Sequence, residues 1–124
     1  KDIMQLGSAN VGTTNVLRAT NSKVLTLATL AGDMAKTGLA IFVGVQLAQG
    51  FGLGQEVGAG VGGIAAIVGH NYSAFLRFRG GKGLVCSAVL AFYFAPALVG
   101  LWVLTFVLTV AATRFMVVRM SRKA

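Results

Sequence analysis

Long apolar runs alternate along the chain with short polar and basic gaps. Three stretches carry no formal charge: Thr37 to Gln55, Val57 to Leu76 with His70 counted as neutral, and Leu84 to Thr113. Apolar runs of about 18 residues or more are long enough to cross a bilayer as helices. The pattern predicts an all-α, polytopic integral membrane protein with about four membrane helices. Residues 7–18 form a mixed polar motif loop. Asn10, Thr13, Thr14 and Asn15 can start a short helix there, with Val16, Leu17 and Arg18 on it. Asn21-Ser22 then reads as a break and a fresh cap. A first membrane helix is predicted over 23–48, a glycine-rich turn over 49–54, and a second helix over 55–69. Gly54, Gly58 and Gly62 recur every fourth position and predict a flat face for close helix packing. Residues 70–83, HNYSAFLRFRGGKG, are a glycine-rich basic loop. The last apolar run, 83–113, predicts a helical hairpin broken at Pro96, because proline suits the first turn of a helix. The hairpin keeps Arg114, Arg119, Arg122 and Lys123 on the same side as Arg77, Arg79 and Lys82. Its first arm, Gly83 to Phe94, spans only ~18 Å of a ~30 Å hydrocarbon core. That arm must tilt, borrow from the glycine loop, or be shielded by other helices.

Composition sharpens this picture. Of 124 residues, 56% are hydrophobic and 11% charged, where a soluble domain carries about a quarter charged. Mean hydropathy is +0.78. The net charge of +8 comes from 11 Lys and Arg against 3 acids. The bases sit between apolar runs, where a membrane protein places cytoplasmic charge. They point to anionic headgroups or an anionic substrate, and to no nucleic acid. Cys86 is a lone cysteine inside an apolar run, so it forms no internal disulfide or multi-cysteine metal site. His70 is the single histidine and has no thiol nearby, which argues against zinc. No metal or organic cofactor is predicted. The run Gly58-x-Gly60-x-x-Gly63 lacks the preceding strand that a dinucleotide site needs. Lys1 in first place, followed by polar sequence without a signal-peptide pattern, predicts an internal start.

Asp33 and Lys36 are spaced to share one helix face and pair. Charges in a membrane helix usually face the protein interior. They form either a structural ion pair or an arrangement that directs Lys36 into an anion site. The glycine loop reads either as a basic membrane-surface turn or as a phosphate cradle. In a cradle, backbone N–H groups approach the anion and Lys82 adds a point charge. It is not a Walker A loop: Leu76 replaces the first glycine, and Gly83 replaces the Ser or Thr after lysine. Ser8, Asn10, Asn15 and Arg18 serve either as ordinary helix caps or as hydrogen-bonding partners of a polar substrate. Phe75 stands five residues after His70, where the common soluble acyltransferases have aspartate. No Gly-x-Ser-x-Gly elbow supports a serine triad.

Taken together and in order, these motifs resemble the bacterial membrane acyl-phosphate:glycerol-3-phosphate acyltransferase family. Its GSGNxGATNxxR run is matched by GSANVGTTNVLR from Gly7 to Arg18, its D-x-x-K by Asp33 and Lys36, and its GHxFPxFLxFKGGKGVAT by GHNYSAFLRFRGGKGLVC from Gly69 to Cys86. The resemblance implies transfer of an acyl group from acyl phosphate to the 1-hydroxyl of glycerol 3-phosphate, giving lysophosphatidic acid and phosphate. It implies a multi-pass protein of the inner membrane with its site facing the cytoplasm, and it makes acyl phosphate, glycerol 3-phosphate and membrane lipids the partners. The family's essential serine and arginine fall on Ser8 and Arg18, and its glycerol 3-phosphate loop on Gly80, Gly81, Lys82 and Gly83. Asn10 and His70 join the catalytic candidates; Asn15, Lys36, Asn71 and Arg79 join the substrate-binding ones. Either a substrate phosphate oxygen or His70 accepts the hydroxyl proton. Relative to the family, Ala9 replaces a glycine, Thr13 an alanine, Ser73 a proline and Cys86 a threonine, and Met4 stands where an arginine is usual. The family's first helix and C-terminal polar motif have no counterpart, so the chain reads as a fragment of a seven-helix fold. Two other readings are an inactive relative that binds anionic lipid or glycerol 3-phosphate, and a small transporter or channel subunit.

Overall fold

The computed structural model describes residues 3–121, and among these the chain contains helices and loops but no strand. Lys1, Arg122 and Lys123, whose places in the chain are read above, lie outside the described residues. The helices are α1 (Thr13–Thr20), α2 (Lys23–Gly50), α3 (Gln55–Asn71), α4 (Leu84–Phe94) and α5 (Pro96–Ser121), with 3₁₀ turns at Ile3–Gln5 and Ala74–Leu76.

Local chemistry sets the boundaries. Asn21 ends α1 in the left-handed region (φ 51°), and its N–H donates to the Leu17 carbonyl at 2.8 Å. Asparagine tolerates this conformation better than most residues. Ser22 then caps α2, its hydroxyl accepting from the Leu25 N–H at 3.3 Å. Gly52 turns the chain with φ +71°, and Gly54 stands at the N-cap of α3. Gly54 therefore lies outside the packing face that its spacing suggests: it precedes the helix, and a Cβ there would touch nothing within 4 Å. Gly58 and Gly62 do form the seam. A side chain on Gly58 would run into the Gly44 carbonyl, and one on Gly62 into the Ala40 carbonyl. α2 and α3 thus meet at backbone contact, around buried Ile41, Ala48 and Ala59. The Gly58–Gly63 run lies wholly inside α3 and forms no phosphate loop.

The described residues divide into two units, one ending at Leu90 and the other starting at Ala91. The first holds α1–α3, the glycine loop and most of α4. In the second, α4 stops at Phe94 and Pro96 heads α5, where its missing N–H is one that a helix start leaves unpaired anyway. No side chain of α5 as far as Met120 is buried. The hydroxyls of Thr105, Thr109 and Thr113 donate to carbonyls of their own helix at 2.8, 2.8 and 2.9 Å, so they carry no unmet donor toward an apolar surrounding. α2 and α5 are long and apolar enough to cross a membrane, with mean hydropathies of 1.3 and 2.0.

Candidate active site

The polar loop before α1 is folded around one side chain. Asn15 is 3% exposed. Its Nδ2 lies 2.7, 2.9 and 3.3 Å from the carbonyls of Asn10, Leu6 and Ile3, and its Oδ1 accepts the Ser8 N–H at 2.8 Å. Gly7 (φ +62°) is required beside it, because a Cβ there would strike Asn15 Oδ1. The Asn15 amide is therefore committed to the loop, which it holds in shape with Ser8 at the surface. The Asn10 carboxamide oxygen accepts the Gly12 N–H at 2.8 Å and so orients the residue that precedes α1.

The glycine loop is built on the end of α3. A helix leaves its last carbonyls without intrahelical partners. Here the Gly81 N–H donates to the His70 carbonyl and the Gly80 N–H to that of Asn71, both at 3.0 Å. Cβ atoms at these glycines would collide with the His70 and Asn71 carbonyls and with His70 Nε2. This corrects the cradle expected from the sequence at Gly80 and Gly81. Their amides are spent on α3, and their bare α-carbons allow the loop to dock. Gly83 (φ +69°) is buried and turns the chain into α4.

The two constructions face one cavity of ≈ 280 Å³. Ser8, Asn10 and Asn15 line it from the first loop, and Gly12, Thr13, Thr14 and Arg18 from α1 and its approach. Lys82, Gly83, Leu84 and Val85 line it from the glycine loop and the start of α4, and Asp33 and His70 complete the wall. Two helix N-termini therefore open on the same space. Each carries unpaired N–H groups and about half a positive charge, and Arg18 and Lys82 add two full charges against one carboxylate, that of Asp33, which Lys36 pairs. Such a cavity suits an anion such as phosphate. Arg79, Gly80, Gly81, Asn71 and Lys36 are not among its lining residues. Sequence reasoning gave no site role to Gly12, Thr13, Thr14, Asp33, Leu84 or Val85. The signal available was that a helix starts directly after each of the two motifs. Thr13 Oγ1 and Asn71 Oδ1 are buried and have no hydrogen-bond partner among the described residues.

Behind the cavity, Lys36 Nζ lies 2.6 Å from Asp33 Oδ1 and 2.6 Å from His70 Nδ1, and Asp33 Oδ1 is 3.3 Å from His70 Nδ1. The aspartate and imidazole side chains are 11% and 7% exposed, and the lysine 43%. The Asp33–Lys36 pair was legible from spacing. Its junction with His70, across 34 positions of sequence, was not.

Comparison with known proteins decides the family. The glycerol-3-phosphate acyltransferase family model matches residues 1–121. The chain belongs to this family. A glycerol-3-phosphate acyltransferase of Thermus thermophilus is 45% identical over 102 residues, covering 82% of this chain and 47% of its own length. That of Pseudomonas entomophila is 44% identical over 107 residues, covering 83% of this chain and 53% of its own. Among solved structures, PlsY, an integral membrane glycerol 3-phosphate acyltransferase in its glycerol 3-phosphate form, matches with a TM-score of 0.66 and 30% identity. That match covers 84% of this chain and 50% of PlsY. The chain thus spans about half the length of the relatives it matches. Within this glycerol-3-phosphate acyltransferase family member, the first motif and the glycine-lysine motif both line one cavity.

Proposed function

We propose that the cavity is part of the active site of an enzyme that transfers an acyl group from acyl phosphate to the 1-hydroxyl of glycerol 3-phosphate. The observation that carries this reading is the convergence of two helix N-termini, Arg18 and Lys82 on one space. Both substrates bear a phosphate, and both need to be held close together. A mixed anhydride is already activated, so no acyl-enzyme intermediate is required. The protein's work is to position two anions and to stabilise charge on the carbonyl oxygen as the hydroxyl attacks. In this reading Arg18 and Lys82 hold phosphate oxygens, Ser8 and the helix-start amides meet the carbonyl or hydroxyl oxygen, and Asn10 and Asn15 keep the loop in place. The relatives' names, and the glycerol 3-phosphate form of PlsY, support glycerol 3-phosphate as acceptor. Acyl phosphate as donor rests on the motif resemblance and on the supply of anion-binding groups.

The same proposal places the protein in the bacterial inner membrane with the cavity facing the cytoplasm, because Arg77, Arg79 and Lys82 cluster beside it. The four-span count and the hairpin at Pro96 belong to it as well, with α3 and α4 shielded by neighbouring helices.

The test is phosphate release from acyl phosphate, with and without glycerol 3-phosphate, by detergent-purified protein from the whole reading frame. Release that depends on glycerol 3-phosphate and yields lysophosphatidic acid is expected, and Arg18→Ala should lower it by about 10²–10³-fold. A folded protein that binds glycerol 3-phosphate but releases no phosphate would instead establish the inactive, binding-only relative.

A further inference from the structure

The cluster behind the cavity contains more than an ion pair. Lys36 Nζ is equidistant, at 2.6 Å, from Asp33 Oδ1 and His70 Nδ1, whereas the carboxylate and the imidazole are 3.3 Å apart. A lysine ammonium has three donors and no acceptor. A 2.6 Å approach to Nδ1 is a hydrogen bond only if Nδ1 offers its lone pair. A proton on Nδ1 would set donor against donor at that distance and leave the long 3.3 Å contact as its only outlet. The shorter distance wins. We infer that Asp33 and Lys36 are positioning residues that hold His70 with its proton on Nε2, so that the imidazole presents an N–H donor, and not a basic lone pair, to the cavity.

The surroundings agree. Nε2 lies against the bare α-carbon of Gly81, where any Cβ would displace it, and His70 is one of the cavity-lining residues. Nε2 makes no hydrogen bond among the described residues, and the ring that carries it belongs to the cavity wall. Lys36 is itself absent from the cavity wall, so its charge acts on a ligand through the ring and not by contact. Asp33 anchors the lysine and is well placed to do so. Its backbone carbonyl accepts the fully buried Thr37 hydroxyl at 2.8 Å, which ties this stretch of α2 into the core. The inference rests on the proposed phosphate site only for what Nε2–H meets.

Labelling with [¹⁵N]histidine, with the His70 signals assigned by their loss in a His70→Gln variant, reports this imidazole by NMR in detergent micelles. Wild-type protein should show Nε2 protonated and Nδ1 bare. Lys36→Met removes the donor and should move the proton to Nδ1, where Asp33 is then the sole partner; Lys36→Arg keeps a donor and should restore the original tautomer. A wild-type ring protonated at Nδ1 overturns the inference whether or not the variants fold, and so does a Lys36→Met ring that stays protonated at Nε2. Adding glycerol 3-phosphate should shift the Nε2 resonance. Calorimetric binding of glycerol 3-phosphate without that shift would remove Nε2 as a ligand donor. Absence of calorimetric binding would count against the proposed function, while the tautomer would still decide the role of Asp33 and Lys36.

Discussion

Ala9 shows how one residue can strain a site. It holds φ 50°, a left-handed conformation that costs a residue with a Cβ roughly 1–2 kcal/mol. The resembled motif carries glycine at this point, and the geometry explains why. The chain must turn left between Ser8, whose N–H goes to Asn15, and Asn10, whose carbonyl accepts from the same side chain. Ala9→Gly is expected to stabilise the protein by about 1 kcal/mol, read as a higher unfolding temperature in detergent. The added chain entropy of glycine works against this gain, but at positive φ the strain term is the larger. Asn15 makes a related point. As one residue in a polar motif it reads equally well as a ligand or as a cap. Only its set of partners, three carbonyls and one N–H spread over the preceding loop, shows that it braces the loop.

At the scale of elements, helix starts were the most legible part because they depend on neighbouring residues, whereas the last helix runs to Ser121 and not to the expected 113, through Arg114 and Arg119. The Asn21-Ser22 break, the start of α3 at Gln55 and the new helix at Pro96 each follow from side chains within a few positions. What a loop does with its amides was not legible. GGKG reads as a cradle because glycine permits close approach, but spacing does not say what approaches. At Gly80 and Gly81 it is the end of α3. The α2–α3 seam was half legible for the same reason. A four-residue glycine period marks a face, yet only contact distinguishes Gly58 and Gly62 from Gly54. A paired substitution tests that distinction. Gly62→Val drives a branched side chain into the Ala40 carbonyl and should cost about 1–3 kcal/mol. Gly38→Ala, on the same pair of helices but facing open space, should stay within about 1 kcal/mol of the parent. Resistance to denaturant in mixed micelles would separate them.

For the molecule as a whole, the proposed orientation can be checked by cysteine labelling, with the unsubstituted protein as the background. Cys86 is 0% exposed and should not react with a membrane-impermeant maleimide without denaturant. Arg79→Cys puts a thiol on the exposed basic loop. It should be labelled in inside-out vesicles and spared in right-side-out ones; the opposite result would place the cavity on the outer face. The two walls of that cavity are held independently, one by the Asn15 amide and the other by the carbonyls that α3 leaves unpaired. The glycine loop therefore has little freedom left to lose when a ligand arrives. Opening it would uncover the His70 and Asn71 carbonyls, which have no other partner among the described residues. If the proposed ligand binds here, it meets a site already assembled, so little ordering entropy is charged against affinity. Under the proposed function, selectivity between anions would then follow from the shape and spacing of the cavity and would not depend on a loop that closes around whatever enters.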